Sequence, residues 1–312
     1  MEKIQFKSFD GEKLSCYLFS AVKSPKGVVQ IIHGMSEHAL RYTQLAEILN
    51  KNGYIVFADD HRAHGQTAKN PENVGKYNRP TNLFDDTVYD EIEISKMLKK
   101  KYPALPLFIF GHSYGSLITQ RYIEESDLHA GAIICGSSYM KTGLNNLAKI
   151  IAKITMRHKG ADAPAKLIEK LSFKQYSKGL RPDELWISHN KEVCQAYKDD
   201  PFCGNPFSAK FYYDLMSGVM QAYKKENLEK INCETPLLLI AGEQDKFSNN
   251  AKLVKKLYNQ YLKLGIKDVT LITYPGMRHE VHNENNNEKV FEDILNFYNS
   301  NLNKQIKLTK KT

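Results

Sequence analysis

The sequence predicts an α/β fold: a mostly parallel central sheet, helices on both sides of it, and a helical cap inserted late in the chain. Short apolar runs alternate with longer segments of helical apolar spacing through both ends of the chain. A Gly-x-Ser-x-Gly pentapeptide lies between one such run and one such segment. The alternation stops after Ser138 and resumes near residue 229. Together these observations favour one sheet domain with an insertion.

Each element follows from its local pattern. The opening residues predict a hairpin, because apolar and polar residues alternate around Asp10-Gly11, a turn-forming pair. The predicted strands are Ile4–Phe9, Leu14–Ser20, Val28–Ile32, Tyr54–Ala58, Leu107–Phe110, Ala130–Cys135, Pro236–Ala241 and Val269–Tyr274. The predicted helices of the sheet domain are Leu40–Asn52, Phe84–Lys101, Ser116–Ile123, Ala251–Leu264 and Glu288–Asn301.

The insertion has a different character. Residues 139–228 contain few strand-like runs, and helical spacing recurs at Asn145–Met156, Ala165–Phe173 and Phe211–Tyr223. We therefore predict a core formed by residues 1–138 and 229–302 and a helical cap formed by residues 139–228. Residues 303–312 are predicted to be a basic C-terminal tail.

Composition limits the class of protein. With 312 residues, 42% of them hydrophobic, the chain can bury a sizeable core. No apolar stretch approaches the ~18 residues of a transmembrane helix, and the N-terminus lacks the apolar segment of a signal peptide. Five cysteines, an odd number with no CxxC pair, argue against a disulfide framework or a zinc site. We expect a cytoplasmic protein without a metal.

The net charge of +9 is uneven. Residues 139–228 carry 15 Lys+Arg and 9 Asp+Glu, giving +6, and the last ten residues carry four lysines and no acid, giving +4. The remainder sums to 9 − 6 − 4 = −1. Two interpretations stay open: cap and tail attract an anionic membrane or substrate, or the lysines simply aid solubility. Nucleic acid is not expected, because no recognised binding motif accompanies the charge.

The pentapeptide Gly111-His112-Ser113-Tyr114-Gly115 predicts a nucleophile elbow. An apolar strand precedes it and a helix follows it, which is the context this turn requires. The turn lifts the Ser113 hydroxyl above the sheet, and small residues on both sides let strand and helix pass closely. The helix N-terminus then points its partial positive charge at a developing oxyanion. A glycine-rich strand–helix connection without chemistry is the alternative.

A nucleophilic serine needs a histidine base and a carboxylate that orients this base. In the order Ser…Asp…His, Asp245 follows the late strand, and Glu243 competes with it from a position nearer to the strand end. His279 follows the last strand and its Pro-Gly turn and is the favoured base, with His282 as the second candidate.

Backbone N–H groups would stabilise the oxyanion. One should belong to Tyr114, directly after the nucleophile. The other should come from the loop after the third strand, where His33 and Gly34 allow a tight turn and Met35 supplies the N–H. Each such donor is worth on the order of 10²–10³ in rate.

Five blocks of the chain resemble a known group. HGMSEH, ADDHRAHGQT, GHSYGS, PLLLIAGEQDKF and YPGMRHEVHNE are similar, in this order, to the monoglyceride lipase and lysophospholipase branch of the α/β-hydrolases, which has serine aminopeptidase S33-like members. In the cap, Trp186-Ile187-Ser188 and the later YKDDPFCG resemble bacterial lysophospholipases and α/β-hydrolases. The resemblance spans about 250 residues.

The resemblance implies an α/β-hydrolase fold and roles for individual residues. Ser113 would be the nucleophile, Asp245 the orienting acid and His279 the base, while Met35 and Tyr114 would carry the oxyanion-hole N–H groups. The implied substrates are esters with one long acyl chain, and no metal or organic cofactor is implied. A cap of this family covers an apolar tunnel and often touches membranes.

The chain departs from the family at two positions. Ala63 and Ser116 stand where glycine is usual. Both are small, so we expect local adjustment and no loss of activity.

Two features of the cap keep alternatives open. The aromatic residues Phe173, Trp186, Phe202, Phe207 and Phe211 line an acyl pocket or form the core of the cap. The segment Asn145–Met156, with several basic residues nearby, is either an interfacial helix on a bilayer or a cap helix packed on the domain beneath.

We therefore predict a serine ester hydrolase that releases a fatty acid from a monoacylglycerol or a lysophospholipid through an acyl-enzyme, with peripheral contact to anionic membranes through cap and tail. A carboxylesterase, thioesterase or peptidase on the same fold is the first alternative. A ligand-binding protein without activity is the second, although such proteins typically lose part of the triad. A membrane-surface scaffold is the third. The head group of the substrate cannot be read from the sequence.

Overall fold

The computed structural model describes residues 1–141, 143–171, 173–181 and 184–309, without the side chains of residues 173, 174 and 303–309. The predicted α/β architecture is confirmed: one eight-stranded sheet carries helices on both faces. The strands are β1 (Glu2–Lys7), β2 (Lys13–Phe19), β3 (Gly27–Ile32), β4 (Tyr54–Asp60), β5 (Leu107–His112), β6 (Gly131–Cys135), β7 (Leu237–Gly242) and β8 (Val269–Tyr274).

The sheet order is β1-β2-β4-β3-β5-β6-β7-β8. β1 pairs with β2, and β2 with β4, in antiparallel fashion, whereas all pairs from β4 to β8 are parallel. Every residue of β3, β4, β5, β6 and β7 is buried, as expected for parallel strands covered on both faces. The carboxyl ends of these strands therefore lie along one edge of the sheet, where loops from distant parts of the chain meet.

Helices lie on the two faces of this sheet and in the segment between β6 and β7. They are α1 (Thr43–Lys51), α2 (Leu83–Lys101), α3 (Tyr114–Glu125), α4 (Gly143–Lys159), α5 (Lys166–Leu171), α6 (Phe173–Tyr176), α7 (Lys191–Asp199), α8 (Ala209–Gln221), α9 (Lys225–Leu228), α10 (Lys252–Lys263) and α11 (Glu288–Thr309). Apolar side chains of α1 and α11 form one core with the sheet, and those of α2, α3, α8 and α10 form another.

The segment between β6 and β7 contains α4 to α9 and, among its described residues, no strand of the sheet. α4 lies against α8: Ala152 is fully buried, and Lys149 Nζ lies 5.3 Å from the centre of the Tyr213 ring. The sequence did not predict α7, although Asn190 caps it by accepting the N–H groups of Glu192 and Val193. α7 is short and mostly polar, and Cys194 is its one buried residue, so no apolar run marks it in the sequence.

Some predicted boundaries move. β1 ends at Lys7 instead of Phe9, because the Ser8 N–H donates to the Glu12 carbonyl at 2.8 Å and starts the turn early. Residues 303–309 of the predicted tail continue the backbone of α11, and residues 310–312 lie outside the described part. Over the described ranges, no helix combines the length and the apolar character needed to cross a membrane.

Candidate active site

Ser113 lies in a strained turn between β5 and α3. Its φ of 53° and ψ of −115° place a non-glycine residue at positive φ. The turn also needs its two glycines: a Cβ on Gly111 would lie 2.0 Å from Thr119 Oγ1, and one on Gly115 would lie 2.0 Å from the Ile32 carbonyl oxygen. The pentapeptide thus encodes close packing of α3 on the sheet, and this packing presents the Ser113 hydroxyl.

The structure brings the three predicted triad residues together. His279 Nε2 lies 2.8 Å from Ser113 Oγ, and His279 Nδ1 lies 3.0 Å from Asp245 Oδ1. Asp245 is 0% exposed and His279 2%. Asp245 follows β7 and His279 follows β8, so adjacent parallel strands deliver both side chains to the same edge.

The two competing residues lie elsewhere. Glu243 is exposed, and its Oε1 accepts a hydrogen bond from Thr273 Oγ1 at 2.9 Å. His282 is buried and stacks on Tyr42, with 5.0 Å between ring centroids, and burial lowers its pKa to about 3. Neither side chain is placed to serve Ser113.

The electrostatics of His279 suit a base. Burial lowers the pKa of His279, but the Asp245 charge and hydrogen bond outweigh burial and leave the pKa above its ordinary value of 6.5. With Nδ1 donating to Asp245, a neutral His279 presents the Nε2 lone pair to the Ser113 hydroxyl. The arrangement can remove a proton from serine and return it to a leaving group.

The two candidate oxyanion donors flank Ser113. Tyr114 is the first residue of α3, so its N–H has no acceptor within the helix. Met35 follows Gly34, where a Cβ would lie 3.2 Å from Ser113 Cβ, and Met35 lines the cavity above the serine. The loop after β3 therefore approaches the nucleophile as closely as a glycine permits.

A buried charged network behind this loop was not predicted. Arg41 donates to Glu37 Oε2 and, through two nitrogens, to both Glu280 carboxylate oxygens at 2.8 and 2.7 Å. Burial raises the pKa of both carboxyls, but the Arg41 charge outweighs it and holds both below their usual range. The Glu37–Arg41 spacing of four residues was the available signal. The network ties the Met35 loop to the residue after His279.

A cavity of about 770 Å³ opens above Ser113, and its lining is mostly apolar. Of the five cap aromatics, Trp186 and Phe207 line it. Phe211 is 1% exposed and packs against Phe207, with ring centroids 4.2 Å apart, while Phe202 packs on the apolar core; neither is among the described lining residues. The Phe173 side chain lies outside the described residues. The rest of the wall is formed by apolar residues that the sequence did not predict to line a pocket: Leu117, Met140, Leu144, Leu147, Ile151, Ile168, Leu171, Leu215 and Met216.

Trp186 covers the candidate base. Its ring lies 4.6 Å from the His279 ring, centre to centre, at an interplanar angle of 35°. The Arg278 guanidinium donates to the carbonyls of Leu185 at 2.7 Å and Ser188 at 3.2 Å. Through these bonds the cap segment that carries Trp186 is fastened to the loop that carries His279.

The outer side of α4 and α5 exposes large aliphatic side chains, which we call the aliphatic face. Ala152, on the opposite side of α4, is fully buried against the protein. Residues 143–171 also hold six Lys+Arg and two Asp+Glu, a net +4. The aliphatic face comprises Leu144, Leu147, Ile150, Ile154, Leu167 and Leu171, with exposures of 76%, 49%, 55%, 53%, 52% and 54%. α4 therefore buries one side against the protein and leaves an aliphatic side exposed.

Three groups of described side chains have the composition of a cation site. Asp59, His61 and Glu91 form one, and all three are buried. The other groups are His38, Asp200 and Cys203, and His112, Cys135 and His282. None of these groups contains Ser113, Asp245 or His279, and the hydrogen-bonded triad is complete without a metal.

Comparison with known proteins agrees with this geometry. The Hydrolase_4 family model, described as serine aminopeptidase, S33, matches residues 23–286. The chain is 28% identical to human monoglyceride lipase over 88% of this chain and 82% of the relative. It is 26% identical to a monoacylglycerol lipase of Mycolicibacterium smegmatis over 95% of this chain and 96% of that relative. A thermostable carboxyl esterase from Bacillus coagulans, solved in complex with glycerol, superposes with a TM-score of 0.85 at 28% identity over 96% of this chain and 98% of the esterase.

Proposed function

The chain belongs to the Hydrolase_4 family of serine hydrolases, and on this premise we propose that it cleaves the ester bond of monoacylglycerol-type lipids and releases a fatty acid. This membership confirms the resemblance of the five sequence blocks. The observation that carries the proposal is the continuous hydrogen-bonded line from Asp245 through His279 to Ser113 at the floor of an apolar cavity.

We assign the steps as follows. His279 accepts the Ser113 proton while Ser113 Oγ attacks the ester carbonyl, and the Met35 and Tyr114 N–H groups bind the oxyanion. As the tetrahedral intermediate collapses, His279 protonates the leaving alkoxide, which departs as glycerol. Water then attacks the acyl-enzyme with His279 again as base, and the fatty acid leaves.

The cavity supports a long acyl chain. Its walls are aliphatic, so a hydrocarbon chain would leave water on entering, at about 0.8 kcal/mol for each buried methylene. The cap contributes much of this wall through α4, α5 and α8. An enzyme restricted to short esters would have no use for so large an apolar volume.

The charges around the cavity favour an uncharged head group. Arg41, which lines the cavity near His279, is already paired with Glu37 and Glu280. The lining lysines, Lys166 and Lys170, are exposed on α5. A phosphate would therefore find no unpaired cation among the described lining residues close to the triad, whereas the hydroxyls of glycerol need none.

The aliphatic face supports contact with a lipid surface. Six large aliphatic side chains lie exposed beside a net charge of +4, the combination that binds anionic bilayers. Several of them, Leu144, Leu147 and Leu171, also line the cavity, so substrate could pass from bilayer to site along one apolar surface. All five cysteines are free thiols, which supports placement in the cytoplasm.

The test is hydrolysis of p-nitrophenyl esters of increasing acyl length, with Ser113→Ala as the blank. Activity should rise toward medium and long chains and fall about 10⁶-fold in the variant. Monoacylglycerol and lysophosphatidylcholine with the same acyl chain then compare neutral and charged head groups, and we expect the neutral lipid to be preferred.

The alternatives predict other outcomes. Activity confined to the shortest esters would indicate a small-molecule carboxylesterase. Faster cleavage of a matched thioester or aminoacyl amide would indicate a thioesterase or a peptidase. Ester hydrolysis no faster than the Ser113→Ala blank would refute the proposal and favour a ligand-binding protein.

A further inference from the structure

We propose that His61 is a positioning residue, held as an imidazolium between the carboxyl groups of Asp59 and Glu91, and that it aims one oxyanion-hole donor. The role rests on the proposed function, since such a donor matters only if the protein attacks a carbonyl group. His61 does not line the cavity; it acts through His33 and the loop that carries Met35. We call His33, Asp59, His61 and Glu91 the polar cluster.

Two consecutive peptide planes lead to the candidate donor. The first is the peptide between His33 and Gly34. The His33 carbonyl oxygen lies 3.2 Å from His61 Nε2, and the Gly34 N–H donates to Glu37 Oε1 at 2.6 Å. The second is the peptide between Gly34 and Met35, and the Gly34 carbonyl oxygen lies 2.7 Å from His33 Nδ1. Among the described residues, only the Met35 N–H of these planes takes no protein partner. Because a trans peptide points C=O and N–H in opposite directions, anchoring the Gly34 carbonyl aims the Met35 N–H.

His33 can hold the Gly34 carbonyl in one tautomer only. Its Nε2 accepts the backbone N–H of His61 at 3.0 Å, so the ring proton lies on Nδ1, toward the carbonyl. Burial, followed by the charge of His61, holds the pKa of His33 well below its usual range and keeps the ring neutral. His61 thus fixes the His33 proton with its backbone and the His33 carbonyl with its ring.

The His61 ring must donate from both nitrogens. Nε2 faces the His33 carbonyl, and Nδ1 lies 3.0 Å from Asp59 Oδ2 and 3.1 Å from Glu91 Oε1. The His33 carbonyl oxygen and Asp59 Oδ2 both accept hydrogen bonds, so both nitrogens carry protons and the ring is an imidazolium. It stacks on the His33 ring at 3.8 Å between centroids and 13° between planes.

The surrounding charges favour this form. Burial lowers the pKa of His61, but the carboxyls of Asp59 and Glu91 outweigh it and hold the pKa well above its usual value. Burial, followed by the Asp59 charge, raises the pKa of Glu91 to about 8. Below that pH Glu91 is neutral, which lowers the cost of burying the polar cluster. Asp59 Oδ1 has no hydrogen-bond partner among the described residues, so the neighbouring imidazolium is what stabilises the Asp59 carboxyl group.

Elements on three sides hold Glu91 in place. Gln30 Nε2 of β3 donates to Glu91 Oε2 at 2.6 Å, Ser95 Oγ of α2 donates to Gln30 Oε1 at 2.6 Å, and Tyr122 OH of α3 donates to Ser95 Oγ at 2.8 Å. All four side chains are 0% exposed. α3 begins directly after Ser113, so these hydrogen bonds link the helix that follows the nucleophile to the polar cluster.

His64 and Cys16, two other titratable groups near the polar cluster, are neutral, whereas Glu37 and Arg62 are charged and paired elsewhere. Burial lowers the pKa of His64 to about 3, and burial raises the pKa of the Cys16 thiol on β2. The His64 ring also stacks on Tyr114, the second donor residue, at 5.7 Å between centroids. His61 is therefore the one cationic ring in this part of the described core.

The first test observes the proton directly. In ¹H–¹⁵N spectra of ¹⁵N-histidine-labelled protein, with His61 assigned through His61→Gln, its two nitrogens should keep imidazolium shifts to about pH 9, where an ordinary histidine is neutral. The double variant Asp59→Asn/Glu91→Gln keeps the ring and the side-chain volumes but removes both carboxyls, and should lose this signature. A neutral His61 at pH 7 in the wild type would overturn the proposal. Retention of one equivalent of divalent metal by the protein after EDTA treatment would also overturn it, because His61 Nδ1 would then be a metal ligand and carry no proton.

The second test is kinetic. His61→Gln should lower kcat on a p-nitrophenyl ester about 10-fold to 100-fold, less than the 10²–10³ for removing a donor, with KM unchanged. Modification of Ser113 by an organophosphonate, whose phosphoryl oxygen enters the oxyanion hole, should slow by a similar factor. Asp59→Asn/Glu91→Gln should follow His61→Gln, which protects the test if His61→Gln fails to fold.

The matched control is His129→Gln. His129 is also a buried histidine, 4% exposed, and burial lowers its pKa to about 4, but it lies outside the polar cluster and the cavity. His129→Gln should lower Tm without lowering kcat. Wild-type kcat in both cluster variants, or a loss confined to KM, would refute the positioning role. Wild-type protein without Ser113-dependent hydrolysis would instead refute the proposed function, while the spectra would still decide the state of His61.

Discussion

Proteins usually bury apolar side chains and expose ionisable ones, and the polar cluster and the aliphatic face each do the reverse. The polar cluster places four ionisable side chains where at most 1% of each is exposed. The aliphatic face leaves six large apolar side chains about half or more exposed on α4 and α5. Buried charges and exposed apolar patches are each uncommon and each informative.

The difference shows what each region is built for. In the polar cluster, hydrogen bonds in a low dielectric oppose displacement of the loop that carries Met35. On the aliphatic face nothing in the described structure opposes contact with another apolar phase. If both proposals hold, hydrogen bonds fix the loop that binds the transition state, and an exposed apolar surface is available to the lipid phase.

The largest expected effect tests the buried side of this comparison. Asp245→Asn should lower kcat about 10⁴-fold, because His279 loses the partner that orients its proton. Since His279 must be neutral to act as base, wild-type kcat/KM should fall as pH drops through a midpoint above 6.5. Without the Asp245 charge, burial lowers the pKa of His279, so the residual activity should persist to lower pH. An unmoved acid limb in pH–rate profiles would show that Asp245 does not set this pKa.

The next effect concerns the network that backs the oxyanion loop. Arg41→Met should lower the free energy of unfolding by about 3–5 kcal/mol, measured by urea denaturation, because Glu37 and Glu280 remain buried without a cation. The control is Arg79→Met: Arg79 is 36% exposed and pairs with surface carboxylates, so its loss should be below about 1 kcal/mol. Equal losses would mean that burial adds nothing to the Arg41 pairs.

The network should also make stability depend on pH. The folded-state pKa values of Glu37 and Glu280 lie below the usual 4.5, so their contribution is complete above that pH and is lost as pH falls through the folded values. Arg41→Met should flatten this acid limb of the stability curve.

A smaller effect tests the exposed side. Ile150→Ser/Ile154→Ser should slow hydrolysis of monoacylglycerol in anionic vesicles about 10-fold, because apolar area available to the bilayer is lost. Hydrolysis of a water-soluble short ester should not change. Leu262→Ser on α10, a residue 46% exposed and remote in sequence from the cap, is the control and should not affect vesicle activity. An equal loss on both substrates would mean that the aliphatic face serves cap stability.

The smallest effect belongs again to the buried side. Ser116 Oγ bonds the Ser113 carbonyl and lies 2.8 Å from Ser137 Oγ. Ser116→Gly restores the family's usual residue. It should lower the free energy of unfolding by about 1 kcal/mol, seen as a slightly lower Tm, while kcat stays near wild type. A large fall in kcat would show that this hydroxyl shapes the elbow.

The parts of the molecule that follow local rules could be predicted from the sequence. Continuous apolar runs predicted the parallel strands, and the glycine spacing around Ser113 predicted the elbow, because strand burial and close backbone approach leave direct marks in the sequence. Ala63 stands where the family usually has glycine, and its φ of 61° lies in the region that glycine favours.

The polar cluster and the network of Arg41 could not be predicted. Asp59 on β4 and Glu91 on α2 lie 32 positions apart in the sequence, and only the folded chain brings their side chains together. The chain has ten histidines and 35 acidic residues, and their spacing in the sequence does not distinguish a buried histidine–carboxyl pair from two solvated side chains. α7 and the division of the cap aromatics between cavity and core likewise depend on tertiary packing.

The stacking of Trp186 on His279 gives the protein a built-in optical reporter. The chain contains a single tryptophan, so all indole fluorescence originates 4.6 Å from the candidate base. A protonated imidazole quenches a neighbouring indole more strongly than a neutral one does. Emission intensity should therefore titrate with the base, and emission wavelength should shift when lipid or a cap movement changes the surroundings of the ring. Both events can be followed in unlabelled, unsubstituted protein during turnover.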